Sequence, residues 1–218
     1  MKIAAFIPIK ENSERVKGKN FRVLGGKKLY EYVVEKALKS SCFDVIYIDT
    51  DSNEIKEKYE GHEIIKVIDR KPELALNTAN GNDLLAYHLD TYPRYDFYFQ
   101  LFATSPFIEV DTIKACVESL VMSSKFDSVF TAIKRNGFFW LGKNPVNYRP
   151  DVLPRSQDLE PIIEETTALY GISHNSLKRF RCRIGEYPNI YFVNHREAVD
   201  INIEEDLEMA KILLTKEN

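Results

Sequence analysis

Apolar, β-branched runs alternate with stretches of helical periodicity along most of this chain, and this alternation limits its possible folds most strongly. The predicted strands are Ile3 to Ile9, Val45 to Asp49, Ile64 to Ile68, Phe97 to Ala103, Ser128 to Ile133, Ala168 to Ile172 and Ile190 to Val193. The first predicted helix has an apolar stripe of Leu29, Tyr32, Val33 and Ala37. The other predicted helices are Asn80 to Leu89, Asp111 to Met122, which Asp111 would cap, and Glu204 to about Thr215. Such alternation is typical of an α/β fold with a mostly parallel sheet covered by helices.

Length and charge exclude several classes of protein. The 218 residues suffice for one sizeable α/β domain, and we expect a single domain spanning 1–218. A net charge of -3, from 30 basic and 33 acidic residues, argues against a general nucleic-acid binder. No apolar run approaches the roughly 18 residues of a membrane helix, and Met1 and Lys2 lead straight into a strand without a signal-peptide pattern. We therefore expect a cytoplasmic protein without membrane association.

Neither the cysteines nor the histidines have the spacing of a metal site. The cysteines are Cys42, Cys116 and Cys182, and the histidines are His62, His88, His174 and His195. An odd number of unpaired thiols fits a reducing compartment. We expect the histidines to be structural or exposed.

The α/β pattern breaks between residues 136 and 165. This segment is rich in proline, glycine and aromatic residues, so it is not a simple crossover between strands. A long irregular insertion with Phe138, Phe139 and Trp140 is either a flap over a substrate or an element of a dimer interface.

A cation-rich loop follows the first predicted strand. Residues 10–20 carry four cations, at Lys10, Arg15, Lys17 and Lys19. The carboxyl end of a parallel strand opens into the crevice where such folds bind ligands, and main-chain N–H groups in a loop of this kind can hold an anion. The loop matches neither the GxxxxGK[ST] nor the GxGxxG pattern. A phosphate-binding loop and a solvated basic turn both remain open from the spacing alone.

Several segments, in order and spacing, resemble the acylneuraminate (CMP-sialic acid) cytidylyltransferases. Besides Lys10 to Asn20, the matching segments are Val45 to Ser52, Arg70 to Ala75 with Thr78, Thr104-Ser105-Pro106, Pro154 to Leu159, and Val199 to Asn202 with Glu204 to Leu207. The matches run from residue 3 to about residue 211. The resemblance implies a three-layer, Rossmann-like (GT-A-like) α/β nucleotidyltransferase fold. It also implies an enzyme that transfers CMP from CTP to a nine-carbon 2-keto sugar acid, for the synthesis of surface glycans, with Mg²⁺ as cofactor.

The resemblance also implies roles for individual residues. Catalytic roles fall to Lys19, Asp200 and Arg155, and Arg155 meets the carboxylate of the sugar. The implied nucleotide-binding residues are Lys10, Asn12, Ser13, Arg15, Asn20, Arg70, Thr78, Asn80, Thr104 and Ser105. Arg155, Gln157, Thr166 and Thr167 would bind the sugar, and Asp200 with Asn202 would bind the metal. The insertion at 136–165 would be an arm that reaches across a homodimer.

Some positions depart from the family pattern. Asn202 stands in place of a second aspartate, Lys10 in place of an arginine, and Thr166-Thr167 in place of Asn-Gly, while Phe102 and Ala103 replace Gln-Pro. These departures suggest an altered acceptor or weakened catalysis. Asp200 could alternatively serve only as a cap at the start of a helix.

Two alternative functions stay open: a cytidylyltransferase for another keto acid such as the eight-carbon Kdo, and a nucleotide-sugar-binding protein without turnover.

Overall fold

The computed structural model describes residues 1–13, 16–76 and 78–215. Its strands are β1 (Ile3–Ile9), β2 (Val23–Leu24), β3 (Lys27–Lys28), β4 (Val45–Thr50), β5 (Ile65–Asp69), β6 (Phe97–Leu101), β7 (Ser128–Arg135), β8 (Trp140–Leu141), β9 (Asn144–Pro145), β10 (Ile162–Ser173) and β11 (Pro188–Phe192). Its α-helices are α1 (Leu29–Ser40), α2 (Asn53–Lys58), α3 (Pro72–Ala75), α4 (Gly81–Thr91), α5 (Val110–Val121), α6 (His174–Phe180) and α7 (Glu204–Thr215). Short 3₁₀ turns lie at Lys19–Phe21, Pro150–Val152 and Ser156–Asp158.

Seven strands form one sheet in the order β11-β7-β10-β6-β1-β4-β5. β1 pairs in parallel with β4 and β6, β4 with β5, and β7 with β11. β10 instead runs antiparallel to both of its neighbours, β6 and β7. The mostly parallel sheet predicted from the sequence is therefore confirmed.

Helices cover both faces of the sheet, which explains why its strands are apolar without alternation. Along β1, Ile3, Ala5, Ile7 and Ile9 pack in one core cluster with buried residues of α1 and α5. The alternate residues of β1 belong to a second cluster, which includes Leu85 of α4 and Leu177 of α6. The layers are thus helix, sheet and helix, as the resemblance implies.

The sequence located long elements better than short ones. The first strand and the last helix have the predicted bounds, whereas the short helices α2, α3 and α6 were not predicted. The predicted cap of α5 was wrong: Glu109 occupies the cap position, and Asp111 lies within the first turn. There its charge still favours the positive end of the helix dipole. Among the described residues, no helix has both the length and the apolar character needed to cross a bilayer.

Residues 136–161, here called the arm, connect β7 to β10. The arm contains the two-residue strands β8 and β9, and β10 begins at Ile162, inside the predicted insertion. Asn147 holds the base of the arm, since its Oδ1 accepts from Phe139 N at 3.0 Å and its Nδ2 donates to Gly137 O at 2.8 Å. Trp140 and Leu141, by contrast, are exposed. The arm thus presents apolar side chains outward from a fixed base.

Candidate active site

The loops after β1, β4 and β6 meet at the carboxyl edge of the sheet. Glu11 N donates to Asp51 Oδ1 at 2.7 Å, which joins the loop after β1 to the loop after β4. Ile201 N donates to Thr104 O at 2.8 Å, which joins the segment before α7 to the loop after β6. Segments far apart in sequence are therefore held together where open α/β sheets bind ligands.

Lys19 connects the cation-rich loop to the segment before α7. It lies in a 3₁₀ turn after Gly18, whose φ of 59° is left-handed. Lys19 is only 8% exposed, and its Nζ donates to Ile201 O at 2.6 Å. Asn20, also buried, donates from Nδ2 to Lys10 O at 2.8 Å and so closes the loop on itself. Lys10 and the turn from Gly18 to Asn20 are therefore held together around the buried Lys19.

Asp200 and Asn202 lie on either side of Ile201. Asn202 Nδ2 donates to Asp200 Oδ2 at 2.5 Å, while Asp200 Oδ1 is buried and has no hydrogen-bond partner. The start of α7 is served by Asp206 instead, whose Oδ2 accepts from the main-chain N–H groups of Asn202 and Ile203 at 2.8 and 3.0 Å. Asp200 is thus not needed to cap that helix.

The donor set at Asp200 fits a hard divalent cation. A buried carboxylate oxygen without a partner is costly unless something binds it. Mg²⁺ prefers oxygen ligands and is commonly held by one or two carboxylates together with substrate phosphates and water. Within the described parts of the chain, no three His, Cys, Asp or Glu side chains group into a metal cage. Asp200 and the amide oxygen of Asn202 therefore suit a metal that a nucleotide would also ligate.

A cavity of about 610 Å³ opens beside Asp200. Its walls include Asp200 and Asn202 together with Thr166 and Thr167, four residues that the resemblance assigned to metal or sugar. Arg135, Glu164 and Glu165 also line it, and the sequence did not single these out. His195, expected from the sequence to be structural or exposed, is exposed and lines the cavity too. Arg135 Nε donates to Glu164 Oε2 at 2.5 Å, so part of the wall is an ion pair at the base of the arm.

Arg70 belongs to a buried charged group with Asp49 and His88. Arg70 Nε donates to Asp49 Oδ1 at 2.7 Å, and its Nη2 donates to Asp49 O at 2.9 Å. His88 Nε2 lies 2.7 Å from Asp49 Oδ2, and its ring stacks on Phe6 with centroids 4.3 Å apart. Burial alone would raise the pKa of Asp49, but the hydrogen bond with His88 and the charge of Arg70 outweigh it, so the pKa lies below its ordinary value.

The other residues that the resemblance assigned to the nucleotide differ in their surroundings. Ser105 is fully buried after β6, and its hydroxyl has no hydrogen-bond partner. Asn80 caps α4, since its Oδ1 accepts from Asn82 N and Asp83 N. Thr78 and Asn12 are exposed, Ser13 and Thr104 are half-buried, and Arg15 lies outside the described residues.

Arg155 and Gln157 lie on the arm and do not line the cavity of their own chain. Both are exposed, and Arg155 forms an ion pair with Asp158, from Nε to Oδ2, at 2.7 Å. The structure therefore brings Lys19, Asp200, Asn202, Thr166 and Thr167 to one region but leaves these two residues outside it.

A polar cluster next to the cavity was missed from the sequence. The guanidinium of Arg183 lies 3.6 Å from the ring centroid of Tyr170 and 3.8 Å from Glu165 Oε2. Burial and the hydrogen bond from the Tyr170 hydroxyl to Glu165 raise the pKa of Tyr170. These residues come from β10 and from the loop after α6, so no local spacing in the sequence links them.

Comparison with known proteins identifies the family. A family model described as "Cytidylyltransferase" matches residues 4–217. The chain is 27% identical over 219 residues to "N-acylneuraminate cytidylyltransferase" of Oncorhynchus mykiss, covering 96% of this chain and 49% of that protein. It is 29% identical over 224 residues to "Pseudaminic acid cytidylyltransferase" of Campylobacter jejuni, covering 98% of this chain and 96% of that one. The chain thus spans about half the length of the first relative and nearly all of the second.

Solved structures show the same fold. CMP:2-keto-3-deoxy-manno-octonic acid synthetase, in a complex with CTP, superposes with a TM-score of 0.70 at 15% identity and full coverage of both chains. The 4-diphosphocytidyl-2C-methyl-D-erythritol synthase of Anaerococcus prevotii superposes with a TM-score of 0.69 at 14% identity, covering 98% of each chain. At these identities the likeness extends to the fold alone.

Proposed function

Because the chain belongs to the cytidylyltransferase family, we propose that it transfers CMP from CTP to the anomeric hydroxyl of a sialic-acid-like 2-keto sugar acid and releases pyrophosphate. One observation carries the proposal: the contact between Lys19 and Ile201 joins the cationic loop to Asp200 and Asn202, which line a cavity large enough for a sugar. A cation, a carboxylate with a free oxygen and a polar cavity are the parts that this transfer needs.

The loop of residues 10–20 would hold the triphosphate. In the reaction the sugar oxygen forms a bond to the α-phosphorus while the bond to pyrophosphate breaks, and negative charge builds up on the departing phosphates. Catalysis of such a transfer depends chiefly on positioning and on neutralising charge. Lys19 is held in place by the Ile201 carbonyl, so its ammonium group is ordered before the nucleotide binds. The other cations of the loop would add to the local positive potential.

Asp200 and Asn202 would hold Mg²⁺. Bound there, the metal would supply positive charge next to the phosphates of CTP. The Oδ1 atom of Asp200 supports this role, because it is a buried acceptor without a hydrogen-bond donor and is therefore available to a metal ion. Asn202 contributes an amide oxygen without charge, so this pair offers one negative charge rather than two.

The cavity beside Asp200 would take the sugar acid. Its wall residues Thr167, His195 and Arg135 carry hydrogen-bonding groups suited to a polyhydroxylated substrate, whereas the buried hydroxyl of Thr166 is bonded to Thr131. The carboxylate of the acceptor needs a cation, and we propose that Arg155 of a second copy provides it. In its own chain Arg155 lies out on the arm and is paired only with Asp158 among the ion pairs of the described residues.

The arm supports a homodimer. Leu141 is 78% exposed, Leu153 is 71% exposed and Trp140 is 52% exposed, and all three lie on the arm. Several large apolar side chains exposed on one segment are typical of a protein interface. A two-fold dimer would cover each arm with the other subunit and carry Arg155 towards its partner.

The proposed activity is tested by incubating the protein with CTP, Mg²⁺ and a panel of keto acids and measuring pyrophosphate release. The panel would contain N-acylneuraminate, pseudaminate, legionaminate derivatives and the eight-carbon acid Kdo. Turnover with a nine-carbon acid and not with Kdo is the expected result. Turnover with Kdo alone would reassign the acceptor, and CTP binding without any pyrophosphate release would support a binding protein.

A further inference from the structure

Thr167 has a backbone conformation that threonine rarely adopts. Its φ is 57°, in the left-handed region, where a β-branched side chain meets the backbone and raises the free energy. Among described non-glycine residues, positive φ also occurs at Ser41 and Arg181. Those two residues are the C-caps of α1 and α6, where the left-handed conformation is routine. Thr167 lies within β10, away from any helix end.

Buried hydroxyl groups hold this conformation from both sides. The pairing of β10 with β7 shifts register between Glu165 and Tyr170, which marks a bulge. Within the bulge, on one side of Thr167, Thr166 Oγ1 donates to Thr131 Oγ1 at 2.7 Å. On the other side of Thr167, Leu169 N donates to the same Thr131 hydroxyl at 3.2 Å. Thr131 therefore fixes the chain on each side of Thr167, and the surroundings impose the strained φ.

Thr167 borders the cavity that contains Asp200. Thr167 is half-buried and lines the space of about 610 Å³ together with Asp200 and Asn202. Its hydroxyl makes no hydrogen bond to any residue within the described ranges, in contrast to the neighbouring Thr166. A glycine would adopt the same φ without a Cβ clash, so the fold at this position does not need the threonine side chain.

We propose that Thr167 determines the specificity for the acceptor, with Thr131 as its positioning residue. The bulge points the Thr167 hydroxyl into the cavity, where it hydrogen-bonds a polar substituent, a hydroxyl or an amide, on the carbon chain of the sugar acid. The β-branched methyl limits the space beside that substituent. This inference rests on the proposed transfer to a sugar acid and adds the group that selects among such acids.

The test compares three substitutions of Thr167. Thr167→Gly should raise the thermal unfolding midpoint by relieving strain, and it should raise the KM for the acceptor by roughly two- to tenfold, the loss of one neutral hydrogen bond. Thr167→Val keeps the shape and loses the hydroxyl, so it should raise the acceptor KM without gaining stability. Thr167→Ser keeps the hydroxyl and should stay near the wild-type KM. The KM for CTP should not change in any of them.

Substitutions of Thr131 test its positioning role. Thr131→Val should raise the acceptor KM in the wild-type background, and Thr131→Ser should restore it. In the Thr167→Gly background Thr131→Val should have no further effect on that KM, because the group that it positions is gone.

The outcomes separate this inference from the proposed function. A more stable Thr167→Gly variant with unchanged acceptor KM and unchanged selectivity across the panel would overturn the specificity role while leaving the enzyme intact. A Thr167→Gly variant with a lower thermal unfolding midpoint would contradict the inference that the backbone of Thr167 is strained. A wild-type chain that releases no pyrophosphate with any sugar acid would overturn the proposed function, and the specificity role with it.

Discussion

The ammonium group of Lys19 donates a 2.6 Å hydrogen bond to the main-chain carbonyl of Ile201, the residue between Asp200 and Asn202. These groups are separated by 182 positions along the chain. The contact joins the loop that would bind phosphates to the pair that would bind the metal. It also means that loss of Lys19 removes both a charge and a link between the two halves of the site.

Lys19→Ala should weaken CTP binding by about 10- to 100-fold, because a charge-assisted hydrogen bond contributes roughly 1.5–3 kcal/mol. Isothermal titration calorimetry with CTP measures this directly. Lys39→Ala is the matched control, since Lys39 is an exposed lysine on α1. Equal affinities for the wild type and Lys19→Ala would rule out the phosphate role.

Asp200→Asn should abolish turnover at ordinary Mg²⁺ concentrations, because it removes the single negative charge of the Asp200–Asn202 pair while keeping the shape. Asn202→Asp should lower the Mg²⁺ concentration that gives half-maximal activity. Both are measured as pyrophosphate release against Mg²⁺ concentration. Asp111→Asn, at an exposed position on α5, serves as the control for loss of a carboxylate. Normal turnover by Asp200→Asn would leave Asp200 with a structural role only.

Asp49→Asn should lower the free energy of unfolding by about 3–5 kcal/mol at neutral pH, because it leaves the buried guanidinium of Arg70 without a counter-charge. The pKa of Asp49 in the folded protein lies below its ordinary value of 3.8, so the unfolded state binds more protons. The stabilisation by the carboxylate is therefore present above about pH 4 and is lost as the pH falls through the folded pKa.

Urea unfolding of the wild type and Asp49→Asn across this pH range would measure the effect. The difference in free energy of unfolding between the two proteins should become smaller as the pH falls below about 4. Asp69→Asn is the comparison, since its ion pair with Lys56 is exposed and should contribute little at any pH. A difference in free energy of unfolding that stays constant with pH would show that the charge of the Asp49 carboxylate does not provide the stabilisation.

A mixture of Arg155→Ala and Lys19→Ala chains should recover activity that neither variant has alone. If each site combines Lys19 of one subunit with Arg155 of the other, a 1:1 exchange of subunits leaves about a quarter of all sites with both residues intact. Pyrophosphate release after subunit exchange measures the recovery. Tagged subunits would confirm that exchange has occurred. If activity is not recovered despite exchange, or if light scattering shows a monomer, Arg155 has no role in the site of a second subunit.

The sequence predicted best what depends on local pattern. The apolar run from Ile3 to Ile9 is a strand whichever neighbours it pairs with, because both faces of a parallel sheet are covered. The turn of Lys19 and the position of Asp200 could be proposed because each follows a strand, and strand ends share one edge of the sheet. The metal and nucleotide roles of these residues stay predictions.

What the sequence did not predict depends on contacts between distant elements. His88 has no carboxylate partner nearby in sequence, and Asp49 reaches it from β4. Arg183 and Tyr170 meet only because the loop after α6 folds back over β10. The left-handed φ of Thr167 was not predicted either, since threonine by itself predicts an ordinary strand residue. The available signal was the glycine that stands at this position in the family pattern, because glycine adopts a positive φ readily.

The bulge in β10 also separates two registers on one continuous strand. Residues 162–165 pair with the end of β7 next to the arm, and residues 170–172 pair with its start. A strand that gains or loses one residue ordinarily turns all its later side chains to the opposite face. Here the bulge lies between the arm and the pairing of residues 169–173 with β6, so the register next to the arm and the register at the centre of the sheet are set separately.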